Sequence, residues 1–312
     1  MLENMPKLDS IQKRILAEIA DLHKTPTGAY NIRANGESAG RNSTANIQIT
    51  TKEDKNGIDV TIAPGTKNES VHIPVVLSES GLKETVYNDF FVGDDCDVVI
   101  VAGCGINNCG NQDSRHDGIH TFHIGKNSRV KYVEKHYGEG DGRGQRIMNP
   151  GTIVDIGEGS SLEMEMVQIK GVDSTVRDTK VKLAANARLV VHERLMTHGT
   201  QTADSNYTIE MCGDGASADV VSRSVAREDS YQRYCSRIIG DCACSGHTEC
   251  DAIIMDNAKV LAVPELEAKN VDAALIHEAA IGKIAGDQLI KLMTLGLTPQ
   301  EAEEQIISGF LA

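Results

Sequence analysis

Apolar and polar residues alternate along most of this chain, and helical spacing is confined to its two ends. Near the N-terminus, apolar residues recur every three or four positions over about 9–24. Asp9 can act as the N-cap, so this segment predicts an amphipathic helix. From about 28 to 90, short runs such as 46–51 alternate apolar and polar side chains between Gly, Asn and Asp residues, which is typical of β-strands.

A loose repeat follows between about 88 and 280. Four segments each place an apolar residue, a small polar turn and a new alternating strand in succession; they begin at Ile124, Ile156, Leu183 and Met211. The intervals between them are 32, 27 and 28 residues. Near-constant spacing of this kind is typical of a β-solenoid, in which each coil buries its apolar side against the next. The alternative is a sandwich of antiparallel hairpins, which would need more two-residue hairpin turns.

The C-terminal segment returns to helical spacing. An apolar helical face precedes Gly296, which is placed as a C-terminal stop. A capping box with proline at the first helical position, over 298–301, then starts a second helix that Gly309 is expected to end. The two helices present an acidic face. They would serve either as a cap on the end of the solenoid or as a docking surface for a partner.

Composition narrows the functional classes. The chain carries 31 Lys and Arg against 45 Asp and Glu, a formal charge of −14, which argues against nucleic acid or an anionic membrane as the main partner. Aromatic residues make up only 4 % of the chain, so aliphatic side chains must fill the core. No apolar run approaches the ~20 residues of a membrane helix, and residues 1–6 do not resemble a signal peptide. We therefore expect a soluble, cytoplasmic protein.

Eight cysteines are distributed along the chain, and reduced thiols are expected in that compartment. One stretch is dense in potential metal ligands: Cys104, Cys109, His116, His120 and His123. Thiolate and imidazole together bind zinc, iron or iron–sulfur clusters, although this spacing matches no standard zinc finger. If 118–124 is a strand, His120 and His123 point to opposite faces and cannot bind one ion together. The alternative is that these are ordinary polar side chains in a stretch whose glycines simply form turns.

Two further groups lie near the C-terminal end of the repeat. Cys235 and the stretch 242–250 combine thiols with a histidine, and they are either soft metal ligands or inert core cysteines. The pair His277 and Glu278 is separated by strand alternation unless the strand is irregular. The sequence contains no nucleophile elbow, P-loop or dinucleotide fingerprint. Any nucleotide hydrolysis in this system therefore belongs to another chain.

The C-terminal stretch points to a family. It reads His-Glu-Ala-Ala-Ile-Gly-Lys-Ile-Ala-Gly-Asp-Gln-Leu-Ile-Lys-Leu-Met over 277–293, Gly-Leu-Thr-Pro-Gln-Glu-Ala-Glu over 296–303 and Ile-Ile-Ser-Gly-Phe over 306–310. This closely resembles the end of the SufB/SufD iron–sulfur assembly scaffolds. The resemblance extends through Thr-Glu-Cys-Asp at 248–251 and Val-Pro-Glu-Leu-Glu at 263–267. The block 102–138 is similar to the compact, roughly 300-residue members, so the resemblance covers 88–312 and more loosely 1–87.

The resemblance implies a mainly β protein, a right-handed parallel β-helix flanked by terminal helices. With the pattern above, it divides the chain into an N-terminal helix (1–27), a β-rich region (28–87), the β-helix core (88–280) and a C-terminal helical segment (281–312). It also implies a dimer, formed with itself or with a SufB/SufD paralogue. A SufC-type ABC ATPase would dock on 281–312, and a cysteine desulfurase or another donor would supply sulfur.

The resemblance further implies a scaffold rather than an enzyme, holding a transient Fe-S cluster of unknown type at the dimer interface. His277 and Glu278 fall where SufB-type chains have a His-Glu pair, and SufD-type chains keep a histidine at the first of these positions. The SufB-type interface cysteine lies six residues before the proline matched by Pro264, and here Ala258 stands in its place. The candidates to supply the cluster's ligands are His277, Glu278, Cys104, Cys109 and Cys250, with His120 as a further metal ligand.

Two other functions compete with the scaffold. The chain would be a SufD-like structural subunit without its own cluster, an alternative that the missing cysteine favours. Otherwise it would be a metal-dependent β-helix enzyme, with iron or zinc held by Cys104, Cys109 and His120.

Overall fold

The computed structural model describes residues 8–312 and consists mainly of β-strands that coil into a parallel solenoid of about eight turns. The helices are α1 (Ser10–Ala20), α2 (Gly286–Thr294) and α3 (Pro299–Phe310). The strands are β1 (Ala29–Ala34), β2 (Glu37–Asn42), β3 (Ile47–Thr51), β4 (Gly57–Ile62), β5 (Lys67–His72), β6 (Val75–Leu77), β7 (Lys83–Val92), β8 (Asp97–Asn107), β9 (Ser114–Ile124), β10 (Arg129–Glu139), β11 (Arg146–Met148), β12 (Gly151–Ile156), β13 (Ser161–Lys170), β14 (Ser174–Leu183), β15 (Arg188–Thr197), β16 (Thr202–Met211), β17 (Ser217–Ala226), β18 (Tyr231–Gly240), β19 (Ser245–Ile254), β20 (Lys259–Ala268) and β21 (Ala274–Gly282).

The strands form two sheets that face each other across the solenoid interior. Sheet A runs in the order β2-β1-β5-β8-β10-β13-β15-β17-β19-β21, and sheet B in the order β20-β18-β16-β14-β11-β9-β7-β4-β3. Successive coils pair in parallel, and only the pairs β1–β2 and β3–β4 near the N-terminus are antiparallel within the described part of the chain. The predicted solenoid is therefore confirmed over the sandwich.

Left-handed residues turn the corners between coils. The equivalent corner of five successive coils contains a residue with positive φ: Asp95, Asn127, Gly159, Asn186 and Gly215. Glycine and asparagine adopt this conformation at the lowest steric cost, because glycine has no Cβ and the short asparagine side chain bonds to nearby backbone. The small polar turns of the sequence repeat are these corners.

The interior is filled by every second residue of each strand. Aliphatic side chains dominate, and rings stack where they occur: Phe90 lies on Phe122 with ring centroids 4.5 Å apart. Residues one coil apart are paired in register, 32 positions apart in the early coils, as for Cys104 and His136, and 28 positions apart later, as for Asp219 and His247. The repeat therefore places like positions of the sequence in rows along the solenoid.

The N-terminal part differs in detail from the expectation. Helix α1 has the predicted cap at Asp9, closed by Gln12, but it ends at Ala20, and Asp21 is left-handed. Strand β7 crosses the expected boundary between 87 and 88, and β4 and β5 already pair in parallel with the strands of the next coil. Residues 1–7 of the expected N-terminal segment lie outside the described residues.

The C-terminal helices pack differently from each other. In α3 the capping box of Thr298 and Glu301 is present as predicted, but the helix continues through Gly309 to Phe310 because no left-handed residue interrupts it. Its Ile307 packs against Val225 of the solenoid. Helix α2 buries none of its residues. Among residues 8–312, no helix has the length and apolar character needed to cross a membrane.

Candidate functional site

Cys104 lies inside the solenoid, in contact with two histidines. Its neighbour in sheet A is His136, one coil away, and His116 approaches from the facing sheet. Burial disfavours the thiolate, but the positive charges of His116 and His136 outweigh it and lower the pKa of Cys104 to about 7. The two histidines therefore promote ionisation of a thiol that is buried in the interior.

The two histidines are correspondingly basic. Burial disfavours the imidazolium, but Cys104 and Glu84 outweigh it and raise the pKa of His116 to about 10. Its Nδ1 lies 3.2 Å from the Glu84 carboxylate. Burial opposes the charge of His136 as well, yet Glu134 raises its pKa to about 9. The histidines thus favour the thiolate form of Cys104, and the thiolate in turn favours the imidazolium form of His116.

A row of charges continues along the interior. Arg177 is hydrogen-bonded to Glu134 and lies 3.7 Å from Glu193, and all three side chains are buried. Burial opposes ionisation of Glu134, but Arg177 and His136 hold the pKa of this carboxyl well below its usual range. The Glu193 carboxylate accepts further hydrogen bonds from hydroxyl groups of Ser205, Tyr207 and Ser222. Each buried charge therefore has a partner, as burial requires.

Two of the metal ligands expected from the sequence do not join Cys104. His120 is buried and hydrogen-bonded, with Nδ1 2.7 Å from the Tyr132 hydroxyl and Nε2 3.3 Å from the Asn88 amide nitrogen. Burial lowers the pKa of His120 to about 4, so it is neutral. Cys109 is exposed in the loop after β8. As predicted, His120 and His123 point to opposite faces of β9.

His277 and Glu278 likewise separate at the other end of the solenoid. His277 faces the interior beside Thr248, its Nδ1 is buried without a hydrogen-bond partner among residues 8–312, and burial lowers its pKa. Glu278 faces outward and is exposed. Cys250 also faces the interior, two residues after Thr248 on β19. Burial, followed by the charge of Glu193, raises the pKa of Cys250 to about 12. The open end thus offers an imidazole and a protonated thiol.

Cys104 is too far from this end to assist it. Six strand spacings separate β8 from β21 in sheet A. Because neighbouring strands lie about 4.8 Å apart, β8 and β21 are roughly 29 Å apart. Cys104 and Cys109 therefore cannot join His277 around one cluster within a single chain. Of the candidate thiols, the structure brings Cys250 into the interior that His277 faces.

An outward-facing cluster lies on the same end of sheet A. Ligand atoms of His247, Glu249 and Glu278 all lie within 4.8 Å of one another, the one such group of three found within residues 8–312. The pKa of His247 is raised, chiefly by its hydrogen bond with Asp219. The pKa of Glu249 is raised as well, chiefly by its hydrogen bond with Asp251.

Sequence reasoning missed several of these groups. Glu134, Arg177 and Glu193 belong to no sequence motif that would have identified them. His192 also belongs to no motif, and its Nδ1 atom lies 3.2 Å from the Glu165 carboxylate. The repeat itself holds the missing signal, because one period after Glu84 stands His116 and one period before His192 stands Glu165.

Comparison with known proteins adds the family. The SufBD core domain of SUF system FeS cluster assembly matches residues 90–310. An iron–sulfur cluster assembly SufBD family protein of Pyrococcus horikoshii is 29% identical over 291 residues, 87% of this chain and 83% of that protein. A SufBD family protein of Methanothermobacter thermautotrophicus is 26% identical over 76% of this chain, which spans 57% of that relative. The iron–sulfur cluster assembly protein SufB of Bacillus subtilis is 32% identical over 30% of this chain and 21% of its own.

The family match extends over most of the solenoid and both C-terminal helices. It agrees with the parallel solenoid fold. The chain belongs to the SufB/SufD family and has a role in iron–sulfur cluster assembly.

Proposed function

We propose that this chain is a scaffold subunit that holds a nascent Fe-S cluster transiently at the open C-terminal end of the solenoid. One observation carries the proposal: the final coil ends in two strands with a free edge each, and His277 faces the interior just there. The cluster is cargo that is built and passed on. The chain itself catalyses no reaction in this proposal.

The open end has the properties of an interface. Strands β20 and β21 each lack a partner on one side, and free strand edges readily pair with another chain. Large apolar side chains are exposed on the last coil: Leu261, Val263, Leu266, Ile276 and Ile281. Exposed apolar groups of this kind mark association sites. A second copy, or a SufB/SufD paralogue, covers this end in the proposed dimer.

The ligands at the open end suit a cargo that must leave. His277 supplies an imidazole and Cys250 a thiol, so the end of one chain does not offer the four thiolates typical of a permanent cluster. Because the pKa of Cys250 is raised to about 12, metal binding there must displace a proton. That cost weakens the hold on the cluster, and the second chain of the dimer completes the ligand set.

Helix α2 is the proposed docking site for a SufC-type ABC ATPase. Ile290 in this helix is 63% exposed, and Leu295, which directly follows the helix, is 76% exposed. Helix α3 is anchored to the solenoid by the Arg227–Glu303 ion pair at 2.9 Å, so force applied to the helices reaches the last coils. The sequence has no P-loop of its own. ATP hydrolysis by the partner therefore supplies the motion, and a cysteine desulfurase or another donor supplies the sulfur.

The scaffold is tested by anaerobic reconstitution with iron and sulfide, followed by Mössbauer spectroscopy. We expect the wild-type chain to form a cluster and His277→Ala to lose most of it.

The dimer is tested by size-exclusion chromatography. Val263→Asp should yield monomers, whereas Val176→Asp, which alters a similarly exposed valine in mid-solenoid, should not. A monomeric wild-type chain that takes up no iron with sulfide contradicts the proposal.

ATPase docking is tested by co-purification with a SufC-type subunit. Ile290→Glu should abolish the complex, because it places a charge in the apolar face. Ile153→Glu, which alters an exposed isoleucine on β12 of the solenoid, is the control and should retain the complex. Equal binding by both variants would remove α2 from the interface.

A second role, the SufD-like structural subunit, is favoured by one observation. Alanine stands at position 258, where the SufB-type cysteine is expected, so this buried position carries no thiol. In this role the chain would load no cluster alone but would do so when paired with a SufB-type paralogue. Reconstitution of the isolated chain and of the mixed pair separates the two roles.

A further inference from the structure

We propose that the outer face of sheet A, at its C-terminal end, carries a binding site for a divalent first-row metal ion, formed by His247, Glu249 and Glu278. Metal binding is inferred from the geometry alone. The assignment of the ion as ferrous iron, held beside the place where a cluster is built, rests on the proposed function.

The three side chains converge because of the solenoid register. Glu249 on β19 is paired directly with Glu278 on β21, and His247 lies two residues before Glu249 on the same face of its strand. The His247 Nε2 atom is 3.8 Å from a Glu278 carboxylate oxygen, and the ligand atoms of all three residues lie within 4.8 Å of one another. Small changes of side-chain rotamer bring such groups around one ion.

A fourth residue orients the histidine. Asp219, one coil earlier in the same row, lies 2.8 Å from His247 Nδ1. A carboxylate that accepts a hydrogen bond from one ring nitrogen fixes the tautomer and leaves the other nitrogen free to bind metal. The free nitrogen here is Nε2, the atom that faces Glu278. This arrangement of carboxylate, histidine and metal is common in metal sites.

The charge of these side chains favours binding of a cation. Neither Glu249 nor Glu278 forms an ion pair with a lysine or arginine among residues 8–312, and Arg223, whose charge acts on Glu249, is not within ion-pairing distance of it. When His247 binds a metal through its Nε2 atom, the carboxylates of Glu249 and Glu278 supply a charge of about −2 as ligands, which a divalent ion balances. Mixed imidazole and carboxylate ligands suit iron, manganese, cobalt and zinc. Partial exposure of the site leaves coordination positions open to water.

This site is separate from His277. Glu278 points outward from β21 and His277 inward, so the two residues belong to opposite faces of one strand. An ion bound outside is nevertheless next to the open end, one residue along the chain from His277. In the scaffold, the outer site would hold ferrous iron close to where the cluster forms.

The experiment measures metal binding by the full-length chain without sulfide, under anaerobic conditions. Co²⁺ is the spectroscopic probe, and Fe²⁺ is titrated by calorimetry. We expect one tight Co²⁺ per chain, lost in His247→Ala, and weakened about 10-fold in Asp219→Asn because only the orienting hydrogen bond is changed. His192→Ala is the matched control: His192 is an outward-facing histidine on sheet A with a single carboxylate partner, and this variant should bind as wild type.

Two outcomes overturn the site: a His247→Ala chain that still binds Co²⁺ as wild type, or a His192→Ala chain that loses it equally. His277→Ala should keep the Co²⁺ site, so failure of the proposed scaffold is measured separately. If His247→Ala lacks the site but forms clusters normally at limiting iron, the metal site stands and its assignment to iron supply is wrong. Circular dichroism checks that each variant is folded.

Discussion

His277 and Glu278 are adjacent in the sequence and lie on opposite sides of strand β21. The His277 Nδ1 atom is buried in the solenoid interior, whereas the Glu278 carboxylate is outside, 3.8 Å from His247 Nε2. Strand alternation imposes this separation. A pair that the sequence suggests as one ligand set is thus divided between two environments.

We therefore predict that the two residues act independently. In the scaffold, His277→Ala should lower the cluster content after reconstitution at saturating iron, while Glu278→Ala should leave it close to wild type. The double variant should match His277→Ala, since the side chains share no contact. Iron and sulfide analysis measures this. Equal losses in both single variants would place them in one site.

A second prediction concerns the thiolate at Cys104. Because the imidazolium groups of His116 and His136 lower its pKa to about 7, one thiolate should appear in the absorbance at 240 nm with a midpoint near pH 7. The His116→Gln variant should move the midpoint upward. Cys104→Ser should abolish the transition and Cys250→Ser should keep it, because burial raises the pKa of Cys250 to about 12. A transition that survives in Cys104→Ser contradicts the assignment.

A third prediction concerns the buried ion pair. Arg177→Met leaves the Glu134 carboxylate buried without its cation, and it should lower the free energy of unfolding by about 3–5 kcal/mol. Urea denaturation measures the change. Arg188→Met, at an exposed position of β15, is the control and should change stability by less than about 0.5 kcal/mol. Adding Glu134→Gln to Arg177→Met should recover part of the loss, because the unpaired charge is removed.

A fourth prediction concerns acid stability. Burial lowers the pKa of His120 from 6.5 to about 4, so between these values the unfolded chain binds a proton that the folded chain does not. The free energy of unfolding should therefore fall as the pH is lowered from about 6.5 to about 4. In His120→Gln the slope should be smaller by up to one proton. Parallel stability curves for the two proteins would show that His120 does not cause the loss.

Much of the fold follows from local patterns in the sequence. Alternation assigns each strand residue to the inside or the outside, and it correctly separates His120 from His123. The near-constant repeat indicates that coils stack, and the corners carry Gly, Asn and Asp because the backbone there is left-handed. The helix caps at Asp9 and Thr298 are equally local, since each needs only a residue three positions away.

The sequence also determines the rows within one sheet, once its period is known. Cys104 and His136 are 32 residues apart, and Asp219 and His247 are 28 apart, so each pair is separated by one coil and stacks in register. Contacts across the interior are different. Arg177 reaches Glu134 from the facing sheet, 43 residues away, and His116 approaches Cys104 in the same way. Strand length, corner shape and the width of the interior set which side chains of two facing sheets meet, and none of these is a property of a single residue's neighbourhood in the sequence.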